Sequence, residues 1–86
     1  MHRAPTDEEI RRFILRHLGS GLAPPTMPDD WPLGEAGAGL DSIALVELIV
    51  ACEVEFGVPL LEVVLQGPVT IAAIAGAVRA ATPAGQ

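Results

Sequence analysis

The chain of 86 residues contains no lysine, tyrosine or asparagine, a single cysteine, one tryptophan and two phenylalanines. Each scarcity excludes something. Positive charge is left to five arginines against eleven acids, a net charge of −6, and such a field repels nucleic-acid phosphates. Basic proteins are the favoured partners, and nucleic acid is not. One cysteine, Cys52, cannot form an internal disulfide, so nothing argues for secretion. A core almost without aromatics has to be built from Leu, Ile, Val and Ala, which favours packed helices over a sheet. No apolar run reaches the length of a membrane span, and "MHRAPTDEEI" lacks the apolar segment of a signal peptide. A cytoplasmic monomer without membrane association is expected.

A chain this short supports one modest core and no deep enzymatic cleft. A single domain over 1–86 is expected, with its core at about 6–80 and a frayed tail at 81–86. "TDEEIRRFILRHLGS" reads as a first helix: Thr6 and Glu9 form a capping box, and Ile10, Phe13, Ile14 and Leu18 recur at helical spacing. Residues 19–40 carry five glycines and four prolines with no period, so they read as a long loop whose candidate pins are Leu22, Trp31, Leu33 and Leu40. Asp41 caps a second helix from Ser42 to Phe56, stopped by Gly57 and Pro59. "LLEVVLQ" at 60–66 has the length of a short helix or turn, closed by Gly67 and Pro68. Thr70 caps a fourth segment with the stripe Ile71, Ile74, Ala75 and Val78, which Gly76 weakens. The expected fold is all-α.

Helix 2 carries two apolar stripes. Leu45, Leu48, Ile49, Cys52 and Phe56 share one side, an ordinary core face. Ile43, Val46, Val50 and Val54 share the other, with Glu47 and Glu53 at its edges. An apolar strip rimmed by acids suits a docking surface for a basic partner. The alternative is a central helix that buries both faces. Ser42, at the helix start, has three readings. Asp41 already supplies the better cap, so capping leaves its hydroxyl unexplained. A nucleophile needs a base, yet the only histidines are His2 and His17, and no G-x-S-x-G elbow is present. A covalently attached phosphate would be favoured by the helix N-terminus.

"GLDSIALVELIVACEVEFGV" resembles the signature of acyl and peptidyl carrier proteins, in which a G-x-D-S motif opens the second helix. "LLEVVLQGPVTIAAIA" is similar to the third and fourth helices of the same family, and with the first helix and the loop the likeness covers residues 6–80. The resemblance implies a four-helix bundle with a long loop between helices 1 and 2 and a short third helix. It also implies that Ser42, preceded by Asp41, bears a covalent 4′-phosphopantetheine arm donated by coenzyme A. Such a chain is not an enzyme. It holds acyl or aminoacyl intermediates as thioesters for enzymes with basic docking surfaces, after modification by a phosphopantetheinyl transferase. The docking face implied here is Ile43, Val46, Glu47, Val50, Glu53 and Val54, with Val54 standing where carriers often place an acid. Charge reversal at Glu47 and Glu53 is expected to leave stability nearly untouched. The apolar third segment resembles carriers of polyketide and non-ribosomal peptide assembly, and its Val63 and Val64 read either as a further docking contact or as core and a wall lining the cargo's resting place. The starting Met1 and the length favour a discrete carrier. The rival reading is a small acidic helical adaptor that uses the same strip and never modifies Ser42.

Overall fold

The computed structural model describes residues 5–18 and 27–82, and among them the regular elements are four helices with no strand. Helix α1 spans Asp7–Leu18, α2 Ser42–Phe56, α3 Leu61–Val64 and α4 Ile71–Ala81. Local chemistry explains their starts. The capping box is reciprocal: Thr6 N–H donates to Glu9 Oε1 at 2.7 Å, and Glu9 N–H donates to Thr6 Oγ1 at 3.1 Å. Thr70 Oγ1 likewise accepts from Ala73 N–H at 2.9 Å to open α4. Helix α2 ends where Gly57 turns left-handed, φ 69°, a conformation that costs glycine little, and its N–H donates to Glu53 O at 2.8 Å. Helix α4 runs on to Ala81, into the expected tail, because both the N–H and the hydroxyl of Thr82 donate to Val78 O.

Ile10, Ile14 and Leu18 from α1 meet Leu48, Ile49 and Cys52 from α2, and Ile71, Ile74 and Val78 from α4 complete the buried centre. Full burial of each such side chain contributes about 1.5–3 kcal/mol, and these aliphatic groups supply most of the drive to fold. Phe13 and Phe56 are half-buried at its rim, their rings edge to face at 5.5 Å. Ion pairs of Asp7 with Arg79 and of Arg11 with Asp29 join distant segments among the described residues.

The long loop is structured over its described part. Leu33 and Leu40 are buried as pins, whereas Trp31 is 46% exposed and Leu22 lies outside the described residues. Met27, 4% exposed, is the pin that pattern reasoning overlooked. Backbone bonds anchor the loop to the far side of the bundle: Leu33 N–H donates to Val69 O, and Ala72 N–H donates to Asp29 O, both at 2.9 Å. The connector is thus held at the start of α4 before it delivers the chain to α2.

Gly76, in the middle of α4, has room for a methyl group: a Cβ would meet only the end of the Arg79 side chain, at 3.9 Å. Gly76→Ala should therefore raise the unfolding free energy by up to about 1 kcal/mol, from helix propensity alone. Thermal or denaturant unfolding of the two proteins measures it.

Candidate functional site

Leu40, Asp41 and Ser42 leave the loop in a geometry set by short-range bonds. Leu40 N–H donates to Leu33 O at 3.0 Å, and its buried side chain anchors the entry to α2. Asp41 is extended, φ −78° and ψ 177°, so its carboxylate turns back to accept from Ala44 N–H at 2.8 Å while its carbonyl accepts from Leu45 N–H at 2.9 Å. Asp41 is therefore the cap, and Ser42 is free of that duty. Ser42 is the first helical residue, exposed, and its hydroxyl has no protein partner among the described residues. An attached phosphoryl group would meet the unpaired N–H groups and positive dipole of the first turn. The residues present fit such a group: solvent access to Oγ, no crowding side chain in bonding contact, and a cap independent of the hydroxyl.

The described residues bring no histidine to Ser42. His17 stacks on Phe13 with ring centroids 5.2 Å apart, and Phe13 packs on Phe56 at the opposite end of α2. The 15-residue helix puts about 20 Å between those ends. His2 lies outside the described residues. A hydrolytic Ser–His pair has no support in this arrangement.

Of the two stripes on α2, the one carrying Leu48, Ile49 and Cys52 is buried, with Leu45 and Phe56 half-buried at its sides. The other faces solvent: Ile43 is 71% exposed, Val46 38%, Val50 41% and Val54 80%. Glu47 is exposed beside them, and Glu53 is half-buried. On the short third helix Val64 is buried, so the contact sought there is displayed instead by Val63 and by Leu65 just beyond it.

Glu53 departs from its expected role as a free rim acid. Its Oε2 accepts from Leu60 N–H at 2.7 Å and from Leu61 N–H at 3.0 Å, capping α3 from seven residues upstream. The signal was legible in what "VPLLEVV" lacks: no Ser, Thr, Asp or Asn stands where α3 begins, so its first N–H groups need an acceptor from elsewhere. Those hydrogen bonds, Leu60's first and Leu61's second, hold the Glu53 carboxyl below its ordinary pKa of 4.5, against a smaller opposing effect of burial. Because the folded value is depressed, the stabilisation is complete above pH 4.5 and is lost as pH falls through the folded value. Unfolding free energy measured across that acid range should fall less steeply in Glu53→Gln than in the parent chain. Reversal to lysine should destabilise α3, unlike reversal at Glu47.

Cys52 is fully buried, and burial, then the negative charge of Glu55, pushes its thiol up to about 12. It stays protonated and acts as a small hydrophobe. No group of three or more metal-binding side chains occurs among the described residues, and no described helix is long and apolar enough to cross a membrane.

Charge is segregated along the chain. Arginine occurs at 3, 11, 12, 16 and 79, whereas residues 17–78 hold eight acids and no basic side chain other than His17. The segment that presents Ser42 is thus uniformly negative. Compared with known families, residues 21–78, well over half of the chain, match the model described as the phosphopantetheine attachment site. No significant match was found among curated proteins or solved structures.

Proposed function

Since the chain belongs to the phosphopantetheine-attachment family of carrier domains, whose covalent cofactor is 4′-phosphopantetheine, we propose that Ser42 bears the arm and that the cargo is an acyl or aminoacyl group. The observation that carries the assignment to Ser42 is its exposed, unengaged hydroxyl at the first position of α2, with the cap supplied by Asp41. Carrier domains serve other enzymes and are modified by a phosphopantetheinyl transferase. On modification, Ser42 Oγ becomes a phosphodiester oxygen, its proton passes to a base on the transferase, and adenosine 3′,5′-bisphosphate leaves from coenzyme A.

When bound, the arm supplies a thiol that holds cargo as a thioester. The chain's own contribution is positional. A rigid helix start fixes the tether, and the exposed strip Ile43, Val46, Val50 and Val54, with Glu47 and Asp41 beside it, receives successive enzymes, so that tethered cargo meets each at raised effective concentration. Docking through so small a patch stays weak enough for release. Secondary metabolism of polyketide or non-ribosomal peptide type is the proposed setting, in the cytoplasm, supported by the apolar Val63 and Leu65 on and beside α3 where fatty-acid carriers are acid-rich.

The test is intact mass after incubation with coenzyme A and a promiscuous phosphopantetheinyl transferase, followed by peptide mapping. One addition on Ser42 is expected. A folded chain that gains no mass would refute the tether and leave the strip as the binding face of an unmodified adaptor.

A further inference from the structure

The turn that delivers the chain to Ser42 is built from residues with little or no side chain, Glu35 apart. Residues 34–39 read "GEAGAG" and are closed on themselves by hydrogen bonds from Gly37 N–H and Gly39 N–H to Gly34 O, from Ala38 N–H to Pro32 O and from Leu40 N–H to Leu33 O. The turn packs against the start of α2: a Cβ on Gly34 would lie 3.7 Å from Leu45 Cδ1, and Leu45 stands one helical turn beyond Ser42, on the same side. Trp31 lies on this turn, its Nε1 so close to Gly37 that a Cβ there would come within 2.7 Å. The ring is 46% exposed, and its N–H has no hydrogen-bond partner among the described residues. An indole half out of water, laid over glycine with its donor unused, offers an apolar face and one hydrogen bond to a ligand.

We infer that Trp31 and the backbone of 37–39 form a resting site for the neutral stem of the arm borne by Ser42, the indole N–H donating to an amide carbonyl of the stem and the ring covering its dimethyl group. The inference rests on the carrier reading and adds where the arm lies between enzymes. Reach allows it. The stem counts about as many bonds as five residues of peptide and so spans about 17 Å, while Gly37 precedes Ser42 by five residues along a backbone that folds back on itself. Chemistry favours it over the strip on α2. Val46 and Val50 offer aliphatic surface but no donor, since N–H groups inside a helix are spent on its own carbonyls, and an amide carbonyl laid there would lose its hydrogen bond to water. Trp31 supplies both the surface and the donor. The stem carries no charge, so Asp30 and Glu35 on either side of Trp31 in the chain do not repel it, and the phosphate stays at the positive end of α2.

The parent chain, converted with coenzyme A and a transferase until intact mass and peptide mapping show full loading of Ser42, is compared with its unloaded form. The single indole N–H resonance should move on loading, together with the amides of Gly37 and Gly39. Acrylamide quenching of Trp31 fluorescence should fall by about one third, as for a millimolar contact about half occupied at the effective concentration of a short tether. Free coenzyme A at about 50 μM, far below that effective concentration, should produce neither change in the unloaded chain. Trp31→Phe keeps a ring and loses the donor, so its Gly37 and Gly39 amides should move less than about half as far on loading as the parent's. The inference is overturned if full loading leaves the indole resonance and the quenching unchanged, if it moves the amides of Val46 and Val50 instead, or if Trp31→Phe responds as fully as the parent. Absence of any mass gain at Ser42 in the folded parent chain is a different result: it strikes the carrier reading itself.

Discussion

Ser42→Ala should accept no phosphopantetheine under conditions in which the parent chain is fully converted, a complete loss read directly by intact mass. The fold should survive almost unchanged. Ser42 is exposed, its hydroxyl holds nothing in the described structure, and the bond from Ala44 N–H to Asp41 Oδ1 is untouched by the substitution. A change in unfolding free energy within about 0.5 kcal/mol is expected, as for other surface substitutions away from caps and core. Asp41→Ala provides the contrast: it removes the cap and should cost about 1 kcal/mol while leaving a hydroxyl in place. A Ser42→Ala chain that still gained the arm would overturn the site assignment, and the true acceptor would be found by peptide mapping.

Gly37→Ala should be the most damaging single-methyl change in the loop. A Cβ at that position would lie 2.0 Å from Pro32 O and 2.7 Å from Trp31 Nε1, inside any tolerable contact. The carbonyl of Pro32 does not move freely. Pro32 O accepts from Ala38 N–H at 2.9 Å, and Leu33, the next residue, is buried and bonded to Val69. The backbone of 32–38 must therefore open, at a cost of about 2–3 kcal/mol, the upper part of the overpacking range. For a domain of this size that is a large share of total stability. Trp31, the only tryptophan, reports the change through its fluorescence. Because Leu40 hangs from Leu33, the disturbance should reach the start of α2 and slow modification of Ser42 as well. Gly67→Ala is the control: nothing lies within 4 Å of its added Cβ, and the effect should stay within about 0.5 kcal/mol. Equal losses at the two glycines would mean that the loop does not pack this way in solution.

Much of this could be read from the chain because the governing interactions are short in sequence. Capping boxes and caps act over three residues, so Thr6 with Glu9, Asp41 with Ala44 and Thr70 with Ala73 are written in the local order of side chains. Helical periodicity likewise separates the core stripe of α1 from its polar face and the large aliphatic stripe of α4 from its alanines and Arg79. Ser42 was legible by another route, the likeness of its surrounding motif to a known family, since no rule of packing or charge singles out that hydroxyl.

Tertiary structure decided what local order leaves degenerate. Helix α2 is apolar on two sides, and periodicity cannot rank two equal stripes; only the placement of α1, α3 and α4 buries Leu48, Ile49 and Cys52 and leaves Ile43 and Val54 to solvent. Trp31 faces outward and Met27 inward because hydrogen bonds from Leu33 to Val69 and from Ala72 to Asp29 set the path of the loop. Glu53 resembles Glu47 in sequence but serves α3, since the left-handed turn at Gly57 folds Leu60 and Leu61 back within reach of its carboxylate. The sequence by itself thus determined where α1, α2 and α4 start and which serine opens α2, through bonds between near neighbours. Which face of α2 meets a partner, and which acid is free to do so, was decided by contacts between residues far apart in the chain.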